Sequence, residues 1–173
     1  GRVTPIPHAN PVAERMWSIF PVLGMAVVAE AGVMVKGLPV WKRAYGAPPP
    51  DAVIVELNAQ QFEWIARYPG KDGVFGRTDP HLIESAGNPL GIDTADATGR
   101  DDVVFRNALH LAVGRTAYVK LRSRDVVHSF SVPAFRVKQD VVPGITGAIK
   151  FIPSRAGRYE IACAQLCGMA HYR

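Results

Sequence analysis

The sequence predicts a mainly β protein: a Greek-key β-sandwich preceded by one transmembrane helix. Three observations carry that prediction. Twenty consecutive residues, Met16 to Val35, hold a single charge, Glu30. After Pro48-Pro49-Pro50 the apolar pattern changes from a helical to an alternating period. Fourteen prolines and sixteen glycines supply turns for short strands rather than for a helical bundle. A length of 173 residues with 48% hydrophobic content suits one domain with a real core plus an extra segment.

Residues 1–13 contain three prolines and read as a loop. As a helix, the run from Met16 to Val35 would span about 30 Å, the thickness of a bilayer's hydrocarbon core. Trp17 near one end and Trp41 with Tyr45 near the other suit the two interfacial zones. Glu30, Pro21, Gly24 and Gly32 would also fit a buried amphipathic helix, but so long a low-charge run favours the membrane. Its length and flanks do not fit a secretion signal. The expected division is therefore 1–46 for the helix with its flanking loop, 47–52 for a stiff proline-rich linker and 53–173 for the sandwich. Strands are expected at Val53 to Leu57, Gln61 to Ile65, Val103 to Phe105, Leu109 to Val113 and Ala117 to Leu121. Three more are expected at Val126 to Val132, Gly147 to Ile152 and Arg158 to Ala162, with turns at Pro143-Gly144 and Ala156-Gly157. Residues 68–102 are rich in Pro, Gly, Asp and Asn and predict a long excursion with little strand.

The chemistry concentrates at the end of the chain, in Cys163-Ala164-Gln165-Leu166-Cys167-Gly168-Met169-Ala170-His171. These are the only two cysteines. Thiolate and imidazole suit copper or zinc far better than magnesium or calcium. A fourth donor is available upstream, His128, in Asp125-Val126-Val127-His128-Ser129-Phe130-Ser131-Val132-Pro133. Spacing alone leaves two readings open, a metal site and a disulfide closing a small loop. The net charge of +5 is scattered without a Lys/Arg run, which argues against nucleic acid as a partner.

Taken together, Cys163-x-Gln165-x-Cys167-x-x-x-His171, His128-Ser129-Phe130-x-Val132-Pro133 and Asp140-x-x-Pro143-Gly144 closely resemble subunit II of haem–copper cytochrome c oxidases. Glu14-x-x-Trp17-x-x-x-Pro21 resembles the start of that subunit's second transmembrane helix. Gln61-Phe62-x-Trp64 and Tyr68-Pro69-Gly70-x-Asp72-Gly73-x-Phe75-Gly76 resemble its aromatic strand and following loop. The resemblance covers nearly the whole chain. It implies a cupredoxin-like sandwich outside the membrane, on the second helix of a two-helix hairpin whose first helix is absent from this chain. It implies a binuclear copper centre, CuA, with Cys163 and Cys167 as bridging thiolates, His128 and His171 as one imidazole each, and the Gln165 carbonyl as a weak ligand. The family's methionine ligand would fall just beyond Arg173, as in an incomplete or processed chain.

The same resemblance implies the remaining roles. Phe62 and Trp64 would mark where electrons enter from cytochrome c, with Phe62 replacing the usual tryptophan. Lys138 and Asp140 would face subunit I, and Glu14 would stand at the mouth of a proton channel there. Gln165 occupies the place of an acidic ligand to a magnesium or manganese ion at the subunit I contact. A neutral amide is a poor ligand for a hard cation, which puts that ion in question. The implied partners are subunit I with its haems and CuB, subunit III, membrane lipid and cytochrome c.

From Asp51 onward, 15 Lys/Arg face 13 Asp/Glu, a formal +2, so a basic donor would not be steered strongly. A membrane-bound or fused cytochrome, or one held in a supercomplex, is therefore expected. Lys36, Lys42 and Arg43 after the helix outnumber Arg2 and Arg15 before it, which by positive-inside counting places the domain in the cytoplasm. The copper chemistry outweighs that count and implies the periplasmic face of a bacterial inner membrane, ahead of a mitochondrial one. The competing functions are the CuA domain of a nitrous oxide reductase, which should be soluble, and a quinol oxidase subunit II, which should lack both cysteines.

Overall fold

The computed structural model describes residues 10–169. The chain divides into two compact units, Gly1–Gly46 and Ala47–Arg173. In the first, a single helix, α1, runs Pro11–Tyr45 over 35 residues, about 50 Å. Asn10 caps it by accepting from the Val12 N–H at 3.0 Å. Trp17, Phe20, Val28 and Trp41 are all exposed, so the helix buries no apolar face within its own unit. It is long and apolar enough to cross a bilayer. Wider π-type turns occupy Ala26–Glu30 and Val33–Gly37, the second of them just before Pro39, which cannot donate to the helical ladder.

The second unit is a two-sheet sandwich. The larger sheet has the order β3-β2-β1-β4-β7, built from β1 Val53–Gln60, β2 Glu63–Tyr68, β3 Val103–Arg106, β4 Ala117–Ser123 and β7 Gly147–Phe151. β1 pairs antiparallel with β2 and parallel with β4. The smaller sheet has the order β6-β5-β8, from β5 His128–Val132, β6 Val137–Val141 and β8 Ala162–Cys163. Alternation sets the inward faces: Ala117, Val119 and Leu121 of β4 are buried while Arg122 is exposed. Val55, Leu57, Val119 and Leu121 from one sheet join Phe130, Val132, Val141, Cys163 and Cys167 in one core.

Several expected strands differ. Gln61 and Phe62 form the β1–β2 turn rather than strand, because β1 continues to Gln60, which pairs with Glu63. Leu109 and Leu111 pack on the core without strand geometry. The His110 backbone explains it: its N–H donates to the Tyr68 hydroxyl at 2.7 Å and its carbonyl accepts from that hydroxyl at 2.8 Å, in place of a ladder. Of Arg158 to Ala162 only Ala162 enters β8. Tyr159 packs instead on Phe135, 4.6 Å between ring centroids. β5 starts at His128, since Val126 is held in a turn by the Ser123 hydroxyl. β6 was not expected, because Val-Lys-Gln-Asp-Val carries three polar residues in a row.

The 68–102 excursion is pinned from beneath by a buried cation. Arg67 is 2% exposed, sits opposite Glu56 in the β1–β2 register, and pairs with Asp102 and with Glu56 at 3.6 Å. Its guanidinium also donates to the Gly76 carbonyl at 2.6 Å and lies over the Phe75 ring. The Asp102 carboxylate accepts the Gly76 N–H at 3.0 Å. Arg67→Met would leave the Asp102 carboxylate buried without its cation, and should destabilise the sandwich by about 3–5 kcal/mol in chemical denaturation.

Candidate metal centre

The short strand β8 decides the site. It pairs with β5 in the register Phe130↔Cys163 and Ser131↔Ala162, extended by Ala164 N–H donating to the Ser129 carbonyl at 3.0 Å. That register sets Cys163 beside His128, with Sγ 4.0 Å from Nδ1. The chain then turns, the Cys167 N–H donating to the Gln165 carbonyl at 2.9 Å, and brings Cys167 Sγ to 3.5 Å from Cys163 Sγ. A disulfide needs about 2.05 Å, so the two are separate thiols. One donor atom from each of His128, Cys163 and Cys167 lies within 4.8 Å of the others. All three residues are at most 5% exposed.

The surroundings fix each donor. The Trp64 ring meets the His128 imidazole edge-on at 6.1 Å. His128 Nε2 lies 2.7 Å from Asp125 Oδ1. Burial pushes the Asp125 carboxyl up, but donation from His128, the Gln61 N–H and the Val126 N–H outweighs it and holds the carboxyl low. Gly168 follows Cys167 at φ +139°, where a Cβ would come within 2.7 Å of the Phe62 ring, so only glycine fits. Two buried thiols and an imidazole make a soft donor set that favours copper or zinc.

Residues 90–173 match the family model described as cytochrome c oxidase subunit II, periplasmic domain. The chain is similar to the cytochrome c oxidase subunit II family. It is 45% identical over 147 residues to an alternative cytochrome c oxidase subunit 2 of Bradyrhizobium diazoefficiens, covering 84% of this chain and 52% of that protein. A cytochrome c oxidase subunit 2 of Thermostichus vulcanus is 30% identical over 176 residues, covering 94% of this chain and 44% of the relative. The chain thus spans about half the length of these curated relatives. Among solved structures, the periplasmic domain of subunit II of cytochrome oxidase from Bradyrhizobium japonicum is similar with a TM-score of 0.49 at 25% identity, over 72% of this chain and 80% of that one.

Other residues named from the subunit II pattern fall as follows. The Gln165 carbonyl lies 3.6 Å from Cys163 Sγ, and the Gln165 side-chain amide reaches Asp140 Oδ2 at 3.5 Å. Asp140 and Lys138 are exposed on β6, 3.8 Å apart as an ion pair. The Ser129 hydroxyl, donating at 2.7 Å, holds the Asp140 carboxyl below its ordinary value, and Lys138 adds to this. Phe62 is 45% exposed, whereas Trp64 lies beneath the surface against His128 and Phe130. Glu14 sits in the first turn of α1. His171 lies outside the described residues. Asp125 and Gln61 received no role from the sequence, although an aspartate three residues before a candidate donor histidine is a usable signal.

Burial pushes the Cys167 thiol up to about 11 from its ordinary 9.0, the Cys163 sulfur adding to the effect. Between those values the folded chain keeps a proton that the unfolded chain has released. Stability from this group is therefore complete below pH 9.0 and lost as pH rises through about 11. Urea denaturation of the metal-free chain should show a falling midpoint over that window. Cys167→Ser should make the fall shallower, leaving the part due to Tyr68, whose hydroxyl is also pushed up by burial.

Proposed function

We propose that this chain is the electron-accepting subunit of a respiratory terminal oxidase, with the Ala47–Arg173 unit carrying a binuclear copper centre. The observation that carries the proposal is the pair of buried sulfurs, 3.5 Å apart and not bonded, facing one imidazole. A mononuclear blue-copper site needs one cysteine with two histidines; a second sulfur suits a shared pair of metals. His128, Cys163, Cys167 and the Gln165 carbonyl would hold the coppers, with His171 completing the set. Bound there, the copper pair would supply a one-electron carrier. The chain's own residues exclude water from the donors, keep the His128 lone pair directed at the sulfurs, and cover the Cys167 turn with Phe62.

On this reading electrons arrive at the exposed Phe62 from a cytochrome c and pass inward by way of Trp64, whose ring meets His128. They leave toward haem in subunit I, where dioxygen is reduced with proton pumping. Lys138, Asp140 and Gln165 form the face assigned to subunit I. The Gln165 amide is turned to Asp140, and we do not assign it a magnesium or manganese ion. α1 would anchor the chain in a bacterial inner membrane with the sandwich in the periplasm, and Glu14 would stand at a proton path into subunit I. Subunit III is the further expected neighbour.

Metal analysis of the copper-loaded chain should return a pair of coppers. In the assembled oxidase, Cys163→Ser should lower oxidation of reduced cytochrome c by more than about 100-fold, beyond what loss of even an outer-shell contact costs. One zinc ion per chain, or unchanged turnover, contradicts the proposal. With 15 Lys/Arg against 13 Asp/Glu from Asp51 onward, oxidation of a soluble basic cytochrome c should change by less than about tenfold between low and high salt. A steep salt dependence would show a local acidic field that the totals conceal.

A further inference from the structure

Asp125 uses its two carboxylate oxygens separately. Oδ1 lies 2.7 Å from His128 Nε2 and also accepts the Val126 N–H at 2.7 Å. Oδ2 accepts the Gln61 N–H at 2.7 Å, across 64 residues of sequence. Gln61 in turn donates its side-chain amide to the Cys167 carbonyl. The contacts close into a ring: His128 to Asp125, Asp125 to Gln61, Gln61 to Cys167, Cys167 Sγ to Cys163 Sγ, and Cys163 Sγ back to His128 Nδ1.

We infer that Asp125 and Gln61 form a two-part clamp that sets the direction of His128 and holds the Cys167 turn against it before any metal arrives. The inference rests on the copper reading above and adds positioning residues to it. An ionised carboxylate only accepts hydrogen bonds, so the proton belongs on His128 Nε2 and the lone pair on Nδ1, facing the sulfurs. The Cys167 carbonyl likewise only accepts, which orients the Gln61 amide with its NH2 group toward the turn. Residue 61 is thus tied to the histidine side through its backbone and to the cysteine side through its side chain. The β1–β2 turn becomes the bar joining the two halves of the site. Trp64, in the strand leaving that turn, limits rotation of the imidazole from a second direction.

The test uses the full chain loaded with copper, in the wild type, Asp125→Asn, Gln61→Ala and the double variant. Asparagine offers one acceptor oxygen and cannot serve both the His128 Nε2–H and the Gln61 N–H. Competition with a copper chelator should show affinity falling about 10–100-fold in Asp125→Asn, with a shifted copper–thiolate absorption band. Gln61→Ala keeps the backbone and should speed alkylation of the thiols in the metal-free chain. Because both residues belong to one ring, the double variant should lose less than the two single losses combined. Wild-type affinity and an unshifted band in Asp125→Asn overturn the clamp, even if that variant unfolds more readily. So does an unchanged alkylation rate in Gln61→Ala. A wild-type chain that takes up no copper overturns the copper reading instead, and the alkylation rates then decide the clamp alone.

Discussion

The pairing of β8 with β5 is the constraint on which the rest depends. A strand of two residues, Ala162–Cys163, lies against His128–Val132 and sets sulfur beside imidazole across 35 residues of chain. So short a ladder is not stable by its own hydrogen bonds. It persists because Cys163 and Cys167 belong to the same buried cluster as Phe130, Val132 and Val141. The candidate donors are therefore core residues as well. Burial that keeps them dry also raises the Cys167 thiol, so a metal must displace a proton the fold prefers to keep. Folding and metal uptake are linked through the same atoms.

The sandwich has a rigid side and a reactive edge. On the outer face of the larger sheet, Arg67 gathers Glu56, Asp102, Gly76 and Phe75 and anchors an excursion that has little regular structure of its own. Lys120 reaches the same ring, 5.1 Å from its centroid. At the other edge, Phe62 is exposed and Leu166 is 93% exposed, beside donors that are almost wholly enclosed. On the copper reading proposed above, enclosed donors beside the exposed apolar side chains of Phe62 and Leu166 suit transfer through contact rather than binding of a substrate. Among the described residues no carboxylate joins the group of donor residues, which keeps the set soft.

Much of this was legible in the sequence, and what was missed shares a cause. The low-charge run and the change of period are local patterns, and each gave the right class of element. The cysteine spacing left metal and disulfide open, and the unbonded sulfurs 3.5 Å apart speak against the disulfide. Leu109 to Val113 looked like a strand because its composition is strand-like. The Tyr68 hydroxyl takes both backbone groups of His110 instead, which no local pattern records. β6 went unseen because Lys138, Gln139 and Asp140 obscure its alternation, and it is strand because β5 lies beside it. The Asp125 to Gln61 bond spans 64 residues and involves a backbone N–H, which has no sequence signature at all. Donor identity is written in residue types; donor geometry is written in tertiary contacts.

The central claim is that two unbonded sulfurs and their imidazole neighbour gather a pair of coppers that act as one redox unit. Electron paramagnetic resonance of the copper-loaded chain in its half-oxidised state tests this most directly. The account predicts hyperfine structure from one electron shared equally between two copper nuclei, lost in Cys163→Ser and in Cys167→Ser. A spectrum from a single copper nucleus, or one that survives loss of either sulfur, would contradict it.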